Sequence, residues 1–218
     1  MSMQLTELFS EFETLHAKHG SPKLNPIFGA GKIDNPKVCL VFMNPTSRNI
    51  ASSKEWSGIL APWLGTKHVW KMLHTLGLFT NDKMLDEISN RKPKEWDEAF
   101  AEELYSEIAS ASIYVTNIAK CTQDDARPLP DSIFKEYLPS FNREISLINP
   151  EITFTFGNQV SSVILGRSIS VSSYLSSEFE PLEIDGNSLK IYPTYYPVGQ
   201  GMRNMGKATE RIKTVLHS

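Results

Sequence analysis

The stretch Ser112-Ile-Tyr-Val-Thr-Asn-Ile118, the run Asp131–Ile148 and then Glu151-Ile-Thr-Phe-Thr-Phe156-Gly157 together decide the fold. The outer two pieces are short and rich in β-branched and aromatic residues, which fit a pleated, half-buried surface. Between them Phe134, Tyr137, Leu138, Phe141, Ile145 and Ile148 recur at helical spacing, and Pro139 should bend that helix locally. A strand, a helix and a second strand over this length form a parallel crossover unit. Working outward, Lys37-Val-Cys-Leu-Val-Phe-Met43 is a continuous apolar run, as a parallel strand buried on both faces should be. Residues 189–194 supply a fourth strand. Helical spacing also marks residues 4–18, 67–76, 94–108 and 204–217, and a short helix follows Gly157 and ends at Gly166. The prediction is a three-layer α/β/α sandwich with a central, mainly parallel four-stranded sheet. It forms a single domain over 1–218, with 1–36 as an N-terminal helix and loop extension.

Composition narrows the function. The chain has 218 residues, and 22 Lys+Arg against 25 Asp+Glu give a formal charge of −3. That argues against a generally basic, nucleic-acid-coating surface and leaves room only for a local positive patch. Two cysteines cannot build a disulfide framework or a four-cysteine metal site within the chain. No apolar run approaches the ~20 residues of a membrane span, and the N-terminus lacks a signal-peptide pattern. A cytoplasmic protein without membrane association is expected. His16 and His19 read as solvated helix-end residues rather than a metal pair.

In an open parallel sheet, ligands sit beyond the carboxyl ends of the strands. Here those ends carry Asn44-Pro-Thr, then Asn117 and Lys120, then Gly157-Asn158, then Tyr195-Tyr-Pro-Val. They offer amides, aromatics and backbone N–H groups but few carboxylates, which suits a flat, neutral, hydrogen-bonding ligand such as a nucleobase better than a divalent metal. The irregular segment 44–66 is long for a compact domain, and such segments are more often functional than accidental. Phosphate-loop, dinucleotide-binding, serine-hydrolase and zinc-protease motifs are all missing.

The block Val115-Thr-Asn-Ile-Ala-Lys-Cys121, with Arg127-Pro-Leu-Pro130, Leu138-Pro139 and Ile148-Asn-Pro-Glu-Ile152 through Leu165-Gly166, resembles the uracil-DNA glycosylase superfamily. It is most similar to the core of that family's iron–sulfur branch. Met43-Asn44-Pro45, Trp56-Ser-Gly58 and Val69-Trp70-Lys71 are closer to the mismatch-specific uracil and thymine branch. Pro193-Thr-Tyr-Tyr-Pro197 resembles the family's second motif. The ordered set runs from about Lys37 to the C-terminus.

This resemblance implies a DNA-repair hydrolase that flips uracil or a related damaged base out of DNA, working without a cofactor and as a monomer. Asn44 would orient the attacking water, since an amide cannot take its proton, and Tyr196 would face the departing base oxygen. Met43, Trp56 and Asn117 would bind the base, by stacking at Trp56 and by paired donor and acceptor contacts at Asn117. Gly157 and Asn158 would hold a DNA phosphate, and Met202 or Arg203 would wedge into the vacated stack. A basic strip near Lys67, Lys71, Lys120, Arg127 and Arg203 would favour DNA over a small substrate, and a neutral rim the reverse.

Read without the resemblance, each residue also fits a plainer part. Asn44 suits a turn before proline, Trp56 ordinary packing, Asn117 a strand-end cap, Gly157 and Asn158 a strand-to-helix turn, and Met202 and Arg203 an exposed loop. The chain also departs from the family. Tyr196 stands where a histidine or small polar residue is usual, and Thr46 replaces a glycine. Cys121 lacks the companion ligands of an iron–sulfur cluster, so it is expected to be a partly buried thiol with no metal. A base-binding domain with little or no turnover, or an enzyme acting on a small nucleoside, therefore stands beside the leading reading.

Overall fold

The computed structural model describes residues 3–175 and 177–218, and the side chains of all of these except residues 3, 4, 6 and 200. The chain begins with α1 (Met3–His19), a two-residue strand β1 (Ala30–Gly31) and β2 (Val38–Phe42). After the irregular segment come α2 (His68–Thr75), α3 (Asp82–Asn90), α4 (Glu98–Ser110) and β3 (Ile113–Asn117). Next are α5 (Asp131–Ile148), β4 (Ile152–Phe156), α6 (Asn158–Leu165), β5 (Glu180–Ile184), β6 (Asn187–Thr194) and α7 (Met205–Leu216).

The sheet has six strands in the order β1-β3-β2-β4-β6-β5. Its centre, β3-β2-β4-β6, is parallel, while β1 and β5 pair antiparallel at the two edges. The expected four-stranded sheet is therefore corrected to a mixed six-stranded one. β1 is too short to carry a pattern, and β5 presents mostly half-exposed or exposed residues, with only Ile184 buried. Neither edge displays the apolar run that betrays a central strand.

Residues alternate between the faces of β2, so Val38, Leu40 and Phe42 join one apolar core while Cys39 and Val41 join the other. The first core is closed by α2, α3, α4 and α7, and the second by α1, α5 and α6. α5 runs unbroken through Pro139. In the N-terminal segment, Leu8 and Phe12 of α1 are fully buried in the second core. His16 is buried as well, correcting its reading as a solvated residue. Its ring N–H donates to Leu24 O (2.9 Å), and the other ring nitrogen accepts from Thr122 N.

The register sets up the site. Phe42 stands opposite Asn117, and Phe156 opposite Thr194, so the residues after the parallel strands emerge along one edge. The chain after β3 is laced to the chain after β2. Ile118 N donates to Phe42 O (2.9 Å), Ala119 N to Met43 O (3.0 Å), Gln123 N to Pro45 O (3.1 Å) and Ser47 N to Gln123 O (2.9 Å). These bonds satisfy backbone groups that the strands leave behind, and they hold two motif segments side by side.

Candidate active site

A cavity of about 260 Å³ opens at this edge, and Met43, Asn44, Asn117 and Tyr196 all line it. Residues far apart in the chain thus meet because the strands that carry them are neighbours. Asn117, at the last position of β3, is only 3% exposed, yet its carboxamide makes no hydrogen bond within the described residues. An amide so placed keeps donor and acceptor for a ligand. Asn44 donates through its amide nitrogen to Pro45 O (3.1 Å), which leaves its oxygen as an acceptor on the cavity.

Tyr196 is half-buried, with its ring edge-on to Phe42 at 6.2 Å between centroids. Burial pushes its phenol up to about 12, so at neutral pH it is a neutral donor. Phe42 in turn stacks on Phe156 at 4.4 Å.

Trp56, expected to stack on a base, is not among the residues that line the cavity. Its indole N–H donates to Ile59 O (3.0 Å), and its ring packs against the first core. The tryptophan that lines the cavity is Trp63, edge-on to Phe42 at 4.7 Å. Trp63 holds a positive φ of 63°, a conformation that costs a bulky residue about 1–3 kcal/mol and gathers at functional sites. Its carbonyl accepts from Thr66 Oγ1 (2.7 Å) and Trp70 Nε1 (3.3 Å), which keeps it there. Sequence reasoning passed over Trp63. The turn-forming run Pro62-Trp-Leu-Gly65 was the available signal.

Gly157 and Asn158 lie outside the cavity lining, and one group of each is bonded within the protein. Gly157 N donates to Thr194 O (2.8 Å), and Asn158 Oδ1 accepts from Val171 N (2.9 Å). Gly157 has φ +92°, a backbone conformation that favours glycine, and lies beside Tyr196, where a Cβ would make only ordinary contact at 3.6 Å. Met202 and Arg203 are exposed on the 3₁₀ turn Gly199–Asn204, which departs from the rim at Gly199 but does not itself bring them into the cavity.

The basic strip is rearranged. Lys120 is fully buried, and Lys67 donates to Ser89 O (2.6 Å). Lys71 lines a separate groove between α2 and α7. The arginines on the cavity are Arg127 and Arg48, with the His68 imidazole beside them, and the last two were not anticipated. Arg127 pairs with Asp125 at 2.8 Å. Cys121 is fully rather than partly buried, and burial raises its thiol. Among the described residues no group of three or more His, Cys, Asp or Glu is placed to hold a metal. No described helix is long and apolar enough to cross a membrane.

Compared with known families, residues 28–217 match the family model described as the uracil DNA glycosylase superfamily, which covers nearly the whole chain. No curated relative matches it.

Proposed function

The chain belongs to the uracil DNA glycosylase superfamily, and on that premise we propose that it hydrolyses the N-glycosidic bond of uracil or a related damaged base flipped out of DNA. The observation that carries this reading is the buried carboxamide of Asn117, without a hydrogen-bond partner among the described residues, in a cavity shared with Asn44 and Tyr196. Extruding the base costs a few kcal/mol of unstacking, and stacking on Trp63 returns about 1–3 kcal/mol. Asn117 reads the hydrogen-bonding edge of the base, and Met43 packs beside it. The Asn44 oxygen accepts from a water and aims it at C1′. The base leaves with the electrons of the C1′–N bond, and Tyr196 donates to its oxygen as negative charge develops. The water oxygen then bonds to C1′, and its proton is lost to solvent because an amide cannot take it.

Arg48 and Arg127 on the rim meet backbone phosphates, and the exposed Met202 and Arg203 enter the gap the base leaves. The protein acts on DNA as a monomer and without a cofactor.

A second reading is favoured by Tyr196. A phenol held neutral stabilises a departing anion less than a well-placed imidazole, and such a domain would bind the base with little turnover. One assay separates the two. Oligonucleotides with a single deoxyuridine are incubated with the protein and then cleaved with alkali at abasic sites. Strand cleavage that falls about a hundredfold in Asn44→Ala is the expected result. An unchanged rate removes Asn44 from the mechanism. Binding without any product selects the second reading.

A further inference from the structure

Lys120 stands three residues beyond Asn117, and its ammonium lies 0% exposed between β3 and α5. It spends all three of its N–H bonds on Thr116 Oγ1 (2.6 Å), Asn117 O (2.5 Å) and Glu144 Oε2 (2.6 Å). Glu144, 1% exposed, accepts at its other oxygen from Thr116 Oγ1 (2.9 Å) and Tyr114 Oη (2.8 Å). The rings of Phe12 and Phe141 flank the ammonium at 4.7 Å and 5.6 Å. Stability alone is a weak reason for such a pair, because packed neutral side chains often serve a core as well or better. What the pair touches is more telling.

The Asn117 carboxamide has no partner within the described residues, so only its backbone sets its direction. On the strand side that backbone is fixed by pairing with Phe42 in β2. On the far side, where the strand ends, its carbonyl accepts a short bond from Lys120 Nζ (2.5 Å) and a much longer one from Thr116 Oγ1 (3.4 Å), itself a partner of Lys120. The geometry points to Lys120, anchored by Glu144 on α5, as a positioning residue that aims the Asn117 carboxamide into the cavity. The network ties the amide to the long α5 helix, which is how a group on a loop edge is kept within the tolerance that recognition demands.

This inference rests on the reading of Asn117 as the base-reading amide, so its test has one readout that needs no substrate. Lys120→Met alone strands a buried carboxylate and is expected to unfold the protein. The informative variant is the double replacement Lys120→Met, Glu144→Gln, in which the Gln oxygen still accepts from Tyr114. Side-chain ¹⁵N relaxation of Asn117, its signal identified by its loss in Asn117→Ala, should report a clear drop in order in the folded double variant. Tyr114→Phe, which trims the same network without touching Lys120, should leave Asn117 ordered. Excision of deoxyuridine in single turnover should fall tenfold or more in the double variant, and adding Asn117→Ala should cost nothing further, on the order of what slight misplacement causes. A folded double variant with Asn117 as ordered as in the wild type overturns the inference, as does a loss that adds in full to that of Asn117→Ala. A wild-type protein that releases no base counts against the proposed function only, and the order of Asn117 then decides the positioning role by itself.

Discussion

Trp56 and Trp63 lie in the same irregular segment, and residue type gives no reason to prefer either as the ring that meets a base. Chain path separates them. Trp56 turns its indole back to Ile59 O and covers the core, whereas Trp63 is swung to the cavity by a left-handed backbone that its carbonyl contacts maintain. Trp63→Ala should therefore weaken binding of a deoxyuridine oligonucleotide by about 1–3 kcal/mol, read by fluorescence anisotropy. Trp56→Ala should leave that binding unchanged while lowering the melting midpoint. The reverse ranking would return the stacking role to Trp56. Asn44, Asn117 and Tyr196 were legible because each directly follows or ends an apolar strand, where ligands of parallel sheets collect. Lys120 was misplaced for an equally physical reason. A lysine after a strand looks solvent-bound until a carboxylate from a distant helix is found against it.

At the scale of elements, the four parallel strands and the amphipathic helices α1, α2, α5 and α7 could be read from periodicity, since each buries a full face. The edges could not. β5 and β6 form a hairpin through Asp185-Gly186, whose positive φ values of 50° and 83° suit a tight turn. That dipeptide was a usable signal between Ile184 and Leu189, but the polar face of β5 hid the strand. α3 was also missed, although Asn81 caps it by accepting from Met84 N at 3.0 Å. The segment around β1 has a role that only packing reveals. A Cβ on Gly29 would overlap Tyr114 Oη and Glu144 Oε1, the far end of the network behind Asn117. Gly29→Ala should cost about 1–3 kcal/mol by overpacking, seen as a lower urea midpoint at unchanged slope. If stability is unaffected, the loop is looser against β3 than the structure has it.

Across the whole molecule, acid should be the destabilising direction. Burial holds His16 below its ordinary 6.5, and the ring nitrogen that accepts from Thr122 N must stay unprotonated. The unfolded chain therefore binds this proton more readily than the folded one. The stability His16 contributes is complete above 6.5 and is lost as pH falls through that value towards the lower folded one. Glu11, lowered by a hydrogen bond from Ser140 and then by Arg143, and Glu136, lowered by Lys18 and His19, extend the loss to more acid pH. The melting midpoint should thus fall from about pH 7 to 5, and His16→Gln should flatten that slope. An unchanged slope would show that His16 titrates alike in both states. The charge of −3 acquires a distribution as well, since the cationic groups at the cavity are Arg48 and Arg127 instead of a strip of lysines. By itself the sequence determined the parallel core, its two buried faces and the strand ends where chemistry could gather, because burial imposes periodicity on the residues that undergo it. Only the tertiary structure decided which tryptophan reaches the cavity, which lysine lies inside, and which buried groups contact the backbone of Asn117. Those outcomes depend on contacts between residues distant in the chain, and no local pattern records them.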